Sequence, residues 1–475
     1  MKRINNKGLI LVNVLVFGVI AIVVTTSLVN WGGTMLRDTR QLNSKEQALQ
    51  IAEAGIDYYR WHLAHAPNDF KDGTGTTTSN GPFVHDYEDK DGNIIGQYAL
   101  TITPPPTGST LVKIMSRGTV NDGSSASRTI QVSLAIPSFA KYAVVANDFM
   151  RFGEGTEVFG PIHSNEGIRF DGLAHNLVSS SVERFNDTEN PGGMVLGVYT
   201  TVSPGDPRYP ASVPNRPDVF MAGRQFPVSN VDFSGVTTDI SALKTLAQSG
   251  GRYIASSGSQ GYHIVLKTND TFDLYKVTSL IQAAKNCNNS QSQNGWGTWS
   301  IKNEQFVANY TLPSNGVIFV QDHAWVDGQI NGARITIAVG DFPDSASKRK
   351  DIIVNNNLLY TNYDGTDTIG LIAQGNVSIG LMSSDTLRID AALIAQNGRI
   401  GRNYFSNDCG ATYVRDSITL YGMIATNGRY GFAYTDGTGY DDRVIVYDGN
   451  LLYAPPPSFP LISNQYTTLS WEELR

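Results

Sequence analysis

Pro67 is the first proline of the chain, so nothing in the first 66 residues forbids one uninterrupted helix. From Leu9 to Val24 every residue is apolar except Asn13 and Gly18, and Leu28 and Val29 follow after Thr25, Thr26 and Ser27. That run of about 21 residues is long enough to cross a bilayer. Thr and Ser can return their hydroxyls to the helix backbone, so they do not end it. Met35, Leu42, Leu49, Ile56 and Leu63 then recur every seventh residue, with Ala52 and Tyr59 on the same face. The pattern predicts one helix over 9–66, about 85 Å long at 1.5 Å per residue. Its first part, about 9–29, is apolar all round and suits a lipid bilayer. Its second part, about 35–66, is amphipathic and should lie on a sheet.

Lys2, Arg3, Lys7 and Arg37 are the only charged residues of 1–37. Cations ahead of an apolar run keep the leader in the cytoplasm and send the body across. The net charge of −7 therefore hides a more acidic remainder, which argues against nucleic acid as the main partner. A secretory signal peptide fits poorly, because the run is long, no small-x-small cleavage site follows, and the helical pattern continues. With two cysteines, Cys287 and Cys409, the chain has neither a disulfide framework nor a four-thiolate zinc site. One disulfide is allowed if the body lies outside the cytoplasm; two unrelated buried thiols are the alternative.

Lys7-Gly8 followed directly by LILV, then a long apolar helix and QIAEAGIDYYR (50–60), resembles the type IV pilin superfamily. The likeness extends over roughly 1–140 and is nearest the minor pilins and pseudopilins of the PilX and GspK type. It implies that a prepilin peptidase cuts between Gly8 and Leu9 and that the new amino terminus is methylated. It also implies that the helix first sits in the bilayer and then assembles with those of other pilin or pseudopilin subunits. Major pilins carry glutamate as the fifth mature residue, where this chain has Asn13. A carboxylate inside a bilayer is costly unless paired, and tip pseudopilins resemble this chain in lacking it. Asn13 can still offer a neutral hydrogen bond to a neighbouring helix; the alternative is a tolerated polar residue.

After a polar loop, GPFVHDY, NIIGQYALTITP, STLVKIMSRGTV and SRTIQVSLAI read as strands with period-two alternation, and DKDGN supplies a hairpin turn. An antiparallel sheet over 67–138, packed by the amphipathic half-helix, is the arrangement that the pilin resemblance implies. Asp86, Glu88, Asp89 and Asp91 cluster at the turn. Some pseudopilins bind calcium through acidic loops, but the spacing matches no complete twelve-residue calcium loop, and a solvated turn is preferred.

Beyond residue 140 the chain repeats itself. VVANDFMRFG, PIHSNEGIRFDG, LIAQGNVSIG, LIAQNGRIGRN and MIATNGRYGF share an apolar centre and an Asn, Gln or Asp corner. Ile318, Ile335, Ile353, Ile372 and Ile394 follow at similar intervals, and Val145 and Ile162 look like earlier turns of the same column. The fold expected is α+β, mainly β: a long amino-terminal helix on a small pilin-like sheet, then a β-solenoid resembling a parallel β-helix. First coils are placed at 139–184, an α+β insertion at 185–312, the main solenoid at 313–452 and a proline-rich tail at 453–475. Trp471 and Leu474 of that tail should cover the last coil. The body resembles those of uncharacterised bacterial proteins with a PilX-like amino end, whose activity is not transferable.

Some parallel β-helices cleave polysaccharides, with paired carboxylates or a base beside calcium-binding acids. The candidates are Asp322, Asp327, Asp390 and Arg388, which form no local motif, and Asp390 reads more simply as a turn residue. His163, Asp171 and His175 are close enough in sequence to hold a metal, although corner or core histidines are the simpler reading. HExxH, GxSxG, Walker A and CxxC are all missing. The expectation is a non-enzymatic, cofactor-free minor subunit of a type IV pilus or secretion pseudopilus, at its tip, with a head for adhesion or assembly priming. Two rivals stay open: a plain membrane-anchored surface protein whose solenoid binds a glycan or another cell, and a tethered polysaccharide lyase or hydrolase.

Overall fold

The computed structural model describes residues 7–75, 80–105, 109–136, 139–233, 235–452, 454–461 and 465–474. It has a long amino-terminal apolar helix and a large sheet-rich body, divided into two compact units.

The first unit holds α1 (Lys7–His65) and an antiparallel meander of β1 (Phe83–Glu88), β2 (Ile94–Thr103), β3 (Val112–Val120) and β4 (Ser127–Ala135). Strands β2 and β3 alternate buried and less buried positions, as a sheet with one covered face must. The covering element is the carboxyl-terminal part of α1, whose buried seam is Ser44, Ala48, Ile51, Ala52, Ile56, Tyr59 and Leu63. Three glycines let the backbones meet. A Cβ on Gly118 of β3 would lie 2.1 Å from the Ala48 carbonyl oxygen and 2.5 Å from the Ala52 nitrogen. Gly55 on the helix would strike Ser116 and Tyr98, and Gly96 would strike Ile51. The seam starts at Ser44, later than the sevenfold pattern suggests. Met35 and Leu42 are exposed, because no sheet lies beneath that stretch of the first unit.

A fifth strand, Thr467–Leu474, joins this sheet beside β4. There Glu472 accepts from Gln131 at 2.7 Å, and Glu473 pairs with Arg128. The tail therefore does not cap the last coil as the sequence suggests. Trp471 and Leu474 are exposed on a sheet edge. The apolar-polar alternation of TTLSWEEL suits pairing with β4 better than closing a stack.

In the second unit, most strands stack in parallel ladders. One inward column runs Ile318, Ile337, Leu371, Leu393, Ile424, Val144, Ile162 and Val178, each in register with the next. A second contains Ala324, Ile352, Val377 and Ile400, while Met150, Ile168 and Val198 stack in a separate three-stranded sheet. A third runs Leu358, Ile389, Leu420, Ile445, Val158 and Ala174. All three columns belong to one buried apolar cluster.

The even spacing in the sequence mixed these columns. Ile318 faces inward on the first ladder and Ile353 lies on the second, whereas Ile372 and Ile394 lie on the outer face of the first. Ile335 pairs with Ile369. Val145 and Ile162 also lie on opposite faces of their ladder, since Val144, not Val145, is in register with Ile162. The order of stacking differs too. Residues 144–180 do not precede the main stack; they pair with Ile424–Thr426 and with Arg443–Val446, after the last turn of the carboxyl-terminal run.

The stretch 185–312 is not one separate insertion. Arg252–Ile254 and Gly261–Leu266 join the parallel ladders at the end opposite residues 178–225. Between these ends, α2 (Gly235–Ser249) lies on the outer column Phe319, Ala338, Ile372, Ile394, Ala425 and Val145. Ile240, Leu243 and Ala247 supply its apolar face. The prolines of the tail lie on strands, not across an end. Arg334 donates to the Pro455 carbonyl at 2.7 Å, and Phe459 is buried with the α2 cluster.

Candidate functional site

The amino-terminal half of α1 is the feature that calls for a partner. Leu11, Leu15, Phe17, Ile20, Ile22, Val24 and Trp31 point to all sides of the helix, and all are exposed. Ala48 to Leu63 of the same helix are packed on the sheet. The helix is long and apolar enough to cross a membrane. The Thr25, Thr26 and Ser27 hydroxyls donate to the carbonyls of Ala21, Ile22 and Val23 at 2.7, 2.7 and 2.8 Å, so these polar groups are satisfied within the helix. Asn13 sits in the exposed stretch. Gly8 and Leu9 lie in helical backbone, as does Lys7, the first described residue; residues 1–6 lie outside the described residues.

The candidate calcium acids are occupied in other ways. Asp86 accepts from Gln97 at 2.7 Å, and Lys90 pairs with Asp91 at 3.0 Å. Asp89 closes the hairpin by accepting the backbone N–H of Asp91 and Asn93, both at 2.9 Å; bonds from Asn93 lower its pKa. Glu88 faces away from the helix at a bulge between Tyr87 and Glu88. Among the described residues, no group of three or more His, Cys, Asp or Glu is placed to hold a metal.

The residues His163, Asp171 and His175 are separated by the ladders. His163 is buried between Ser179 and Asn165, and burial lowers its pKa. Asp171 pairs with Arg169 at 2.6 Å, and His175 with Glu157 at 2.6 Å. Of the four polysaccharide-cleavage candidates, Arg388 and Asp390 form an ion pair at 2.8 Å, while Asp322 and Asp327 are engaged with other residues. Asp322 accepts the Ser257 N–H at 2.9 Å and its hydroxyl at 2.7 Å. Asp390 is buried and accepts from Arg388, Tyr363 and the Tyr360 backbone. Asp327 lies beside His263 at 3.1 Å. Cys287 and Cys409 form a disulfide that closes a small cluster with Leu381 and Phe405.

Two polar constellations have no local signal in the sequence. Asp206 is a fully buried carboxylate between Arg224 and Arg216 in the loop that covers the 178–225 end. His263 bridges Glu304 at 2.8 Å and Asp327 at 3.1 Å, although both acids are distant from it in sequence. Burial pulls the His263 pKa down, but bonds to Asp327 and Glu304 outweigh it and raise the pKa to about 9.

No family model matches the sequence, and no curated protein matches it. Among solved structures, the chain is similar to the crystal structure of the competence-associated pilin ComZ from Thermus thermophilus. That likeness has 13% identity and a TM-score of 0.30, and it covers 91% of this chain and 98% of that chain. A score this low fixes neither topology nor activity.

Proposed function

We propose that the chain is a pilin-like minor subunit of a type IV pilus or secretion pseudopilus, anchored in the membrane through α1 before assembly. The observation that supports this reading most is the division of α1. Its amino-terminal half exposes apolar side chains in every direction, while the rest is seated on the sheet. Such a rod needs a lipid or helical environment on all sides. A bilayer before assembly and a bundle of like helices afterwards both supply it. In this reading a prepilin peptidase removes the leader at Gly8–Leu9, Leu9 is methylated, and Asn13 forms a neutral bond to a neighbouring helix. The body, read as a β-solenoid, is too bulky for every lattice position, which favours rare incorporation at the tip. It acts in adhesion or assembly priming without catalytic chemistry or a cofactor.

Mass spectrometry of the protein from its native membrane tests the reading. A mature amino terminus at Leu9 is expected, and it should disappear when Gly8 is replaced by a bulky residue. An intact Met1 with the body still displayed would replace the pilin reading with a plain surface anchor.

A further inference from the structure

Gly261–Leu266, Thr271–Leu280 and Ile301–Thr311 form an antiparallel meander, and the first of these strands also runs parallel to Ala324–Gln329. The registers pair Trp325 with His263, His263 with Tyr275, and Tyr275 with Phe306. Partners in register point to the same side of a sheet, so these four rings form one row across four strands. Their order runs from core to solvent. Trp325 is 2% exposed, His263 and Tyr275 are intermediate, and Phe306 is 59% exposed. The centroids of His263 and Tyr275 are 5.8 Å apart, and those of Tyr275 and Phe306 5.5 Å.

Two residues along the same strands, and therefore on the same face, stand Glu304 beside Phe306 and Asp327 beside Trp325. Each carboxylate uses one oxygen on His263: Glu304 Oε2 at 2.8 Å and Asp327 Oδ2 at 3.1 Å. Asn356 donates to that same Asp327 oxygen at 2.8 Å. Glu304 Oε1 and Asp327 Oδ1 accept no hydrogen bond from any other described residue. On the Trp325 side of His263 a cavity of ≈ 140 Å³ is lined by His263, Trp325, Asp327, Asn356 and the exposed Met382, with Tyr275, Phe306 and Glu304 outside its lining.

A second observation points to the same place. Trp299 has φ +48°, a left-handed conformation that is strained for a bulky residue. Its carbonyl accepts from Trp325 Nε1 at 2.9 Å and Asn355 Nδ2 at 2.7 Å, so the strained residue fixes two groups that line the cavity.

An exposed aromatic ring, Phe306, with carboxylate and amide groups at its border matches a pyranose, which has an apolar C–H face and a rim of hydroxyls. His263 balances one of the two carboxylates, which leaves a local excess of one negative charge. That excess disfavours a uronate or sulfated chain and suits a neutral or amino-bearing one. The small cavity suits one ring, since pockets for whole drug-sized ligands measure about 300–1,000 Å³.

We infer that this meander face binds a neutral or amino-bearing polysaccharide, with Phe306, held edge-to-face at 69° by Tyr275, against a ring face and Glu304, Asp327 and Asn356 on its hydroxyls. The inference deepens the proposed adhesive role of the body, and it stands or falls separately from the route by which the body reaches the surface.

The test uses the full chain in detergent, run by affinity electrophoresis through gels containing soluble β-glucan, glycol chitosan or polygalacturonate. Retardation is expected in at least one of the first two and not in polygalacturonate. Phe306→Ala and E304Q should each weaken it at least tenfold without changing circular dichroism; Phe306 is already exposed, so its loss leaves the fold intact. Retardation in neither neutral nor amino-bearing gel would overturn the inference. So would Phe306→Ala protein retarded as strongly as wild type, or a variant that loses only association with another protein. A bulky Gly8 variant that still matures and enters filaments, yet keeps its retardation, would remove the pilin reading and leave this site standing.

Discussion

The two units bury their chains by opposite means. In the first, a helix and a sheet meet along glycines, with Gly118 against the Ala48 and Ala52 backbone and Gly55 against Ser116 and Tyr98. In the second, each turn rests on the next through in-register apolar columns, and the outer face of one ladder is covered by α2. Close approach gives a surface that tolerates no added atom, whereas stacking spreads stability over many similar interfaces.

The sharpest way to break the contrast is Gly118→Val. Its new atoms would meet helix backbone, which cannot rotate aside, so a loss of about 3 kcal/mol or more is expected in the first unit. Hydrogen exchange should show β1 to β4 losing protection while the ladders keep theirs. Gly32→Ala is the control, since no atom lies within 4 Å of a Cβ there, and it should leave protection unchanged.

A smaller loss is expected from uncoupling Cys287 and Cys409, which are separated by 122 residues. Cys287→Ser with Cys409→Ser should cost about 2–4 kcal/mol in denaturant melts. Protection should fall mainly around Trp296 and Phe405, leaving the columns intact.

The His263 bridge makes the meander of the second unit sensitive to pH. Its folded pKa of about 9 lies above the ordinary value of 6.5, so the stabilisation is fully present below pH 6.5. It is lost as pH rises through about 9, amounting to roughly 3 kcal/mol. Thermal melts between pH 6 and 10 should show the fall, and His263→Gln should flatten it. The smallest effect belongs to Glu189, which joins Arg151 and Arg429 at a partly exposed position. Glu189→Ala should cost about 1 kcal/mol, reduced by salt, in the same melts.

The same contrast explains what could be read from the sequence. Strands β2 and β3 alternate along their length, and Asp89 to Asn93 announces its turn, so the meander of the first unit is legible residue by residue. Val317–Val320 and Thr368–Ala373 are buried at every position, because α2 and the proline segment cover the side that would otherwise be polar. With no alternation left, inward Ile318 and outward Ile372 look alike. The pairing of Thr467–Leu474 with β4 depends on residues far apart in sequence, as does the meeting of His263 with Glu304. Of the candidate site, the apolar rod and Asn13 were visible from spacing. The aromatic row Trp325, His263, Tyr275 and Phe306 was not, since each ring comes from a different strand.

The return of Val144–Ala146 onto Ile424–Thr426 has a consequence for biogenesis. A ribosome delivers the chain from its amino end, so the early turns emerge long before the surface that receives them exists. Until then their edge is open to any extended peptide nearby. A pause in elongation or export between these two segments would therefore be the moment at which this protein is most exposed to misassembly.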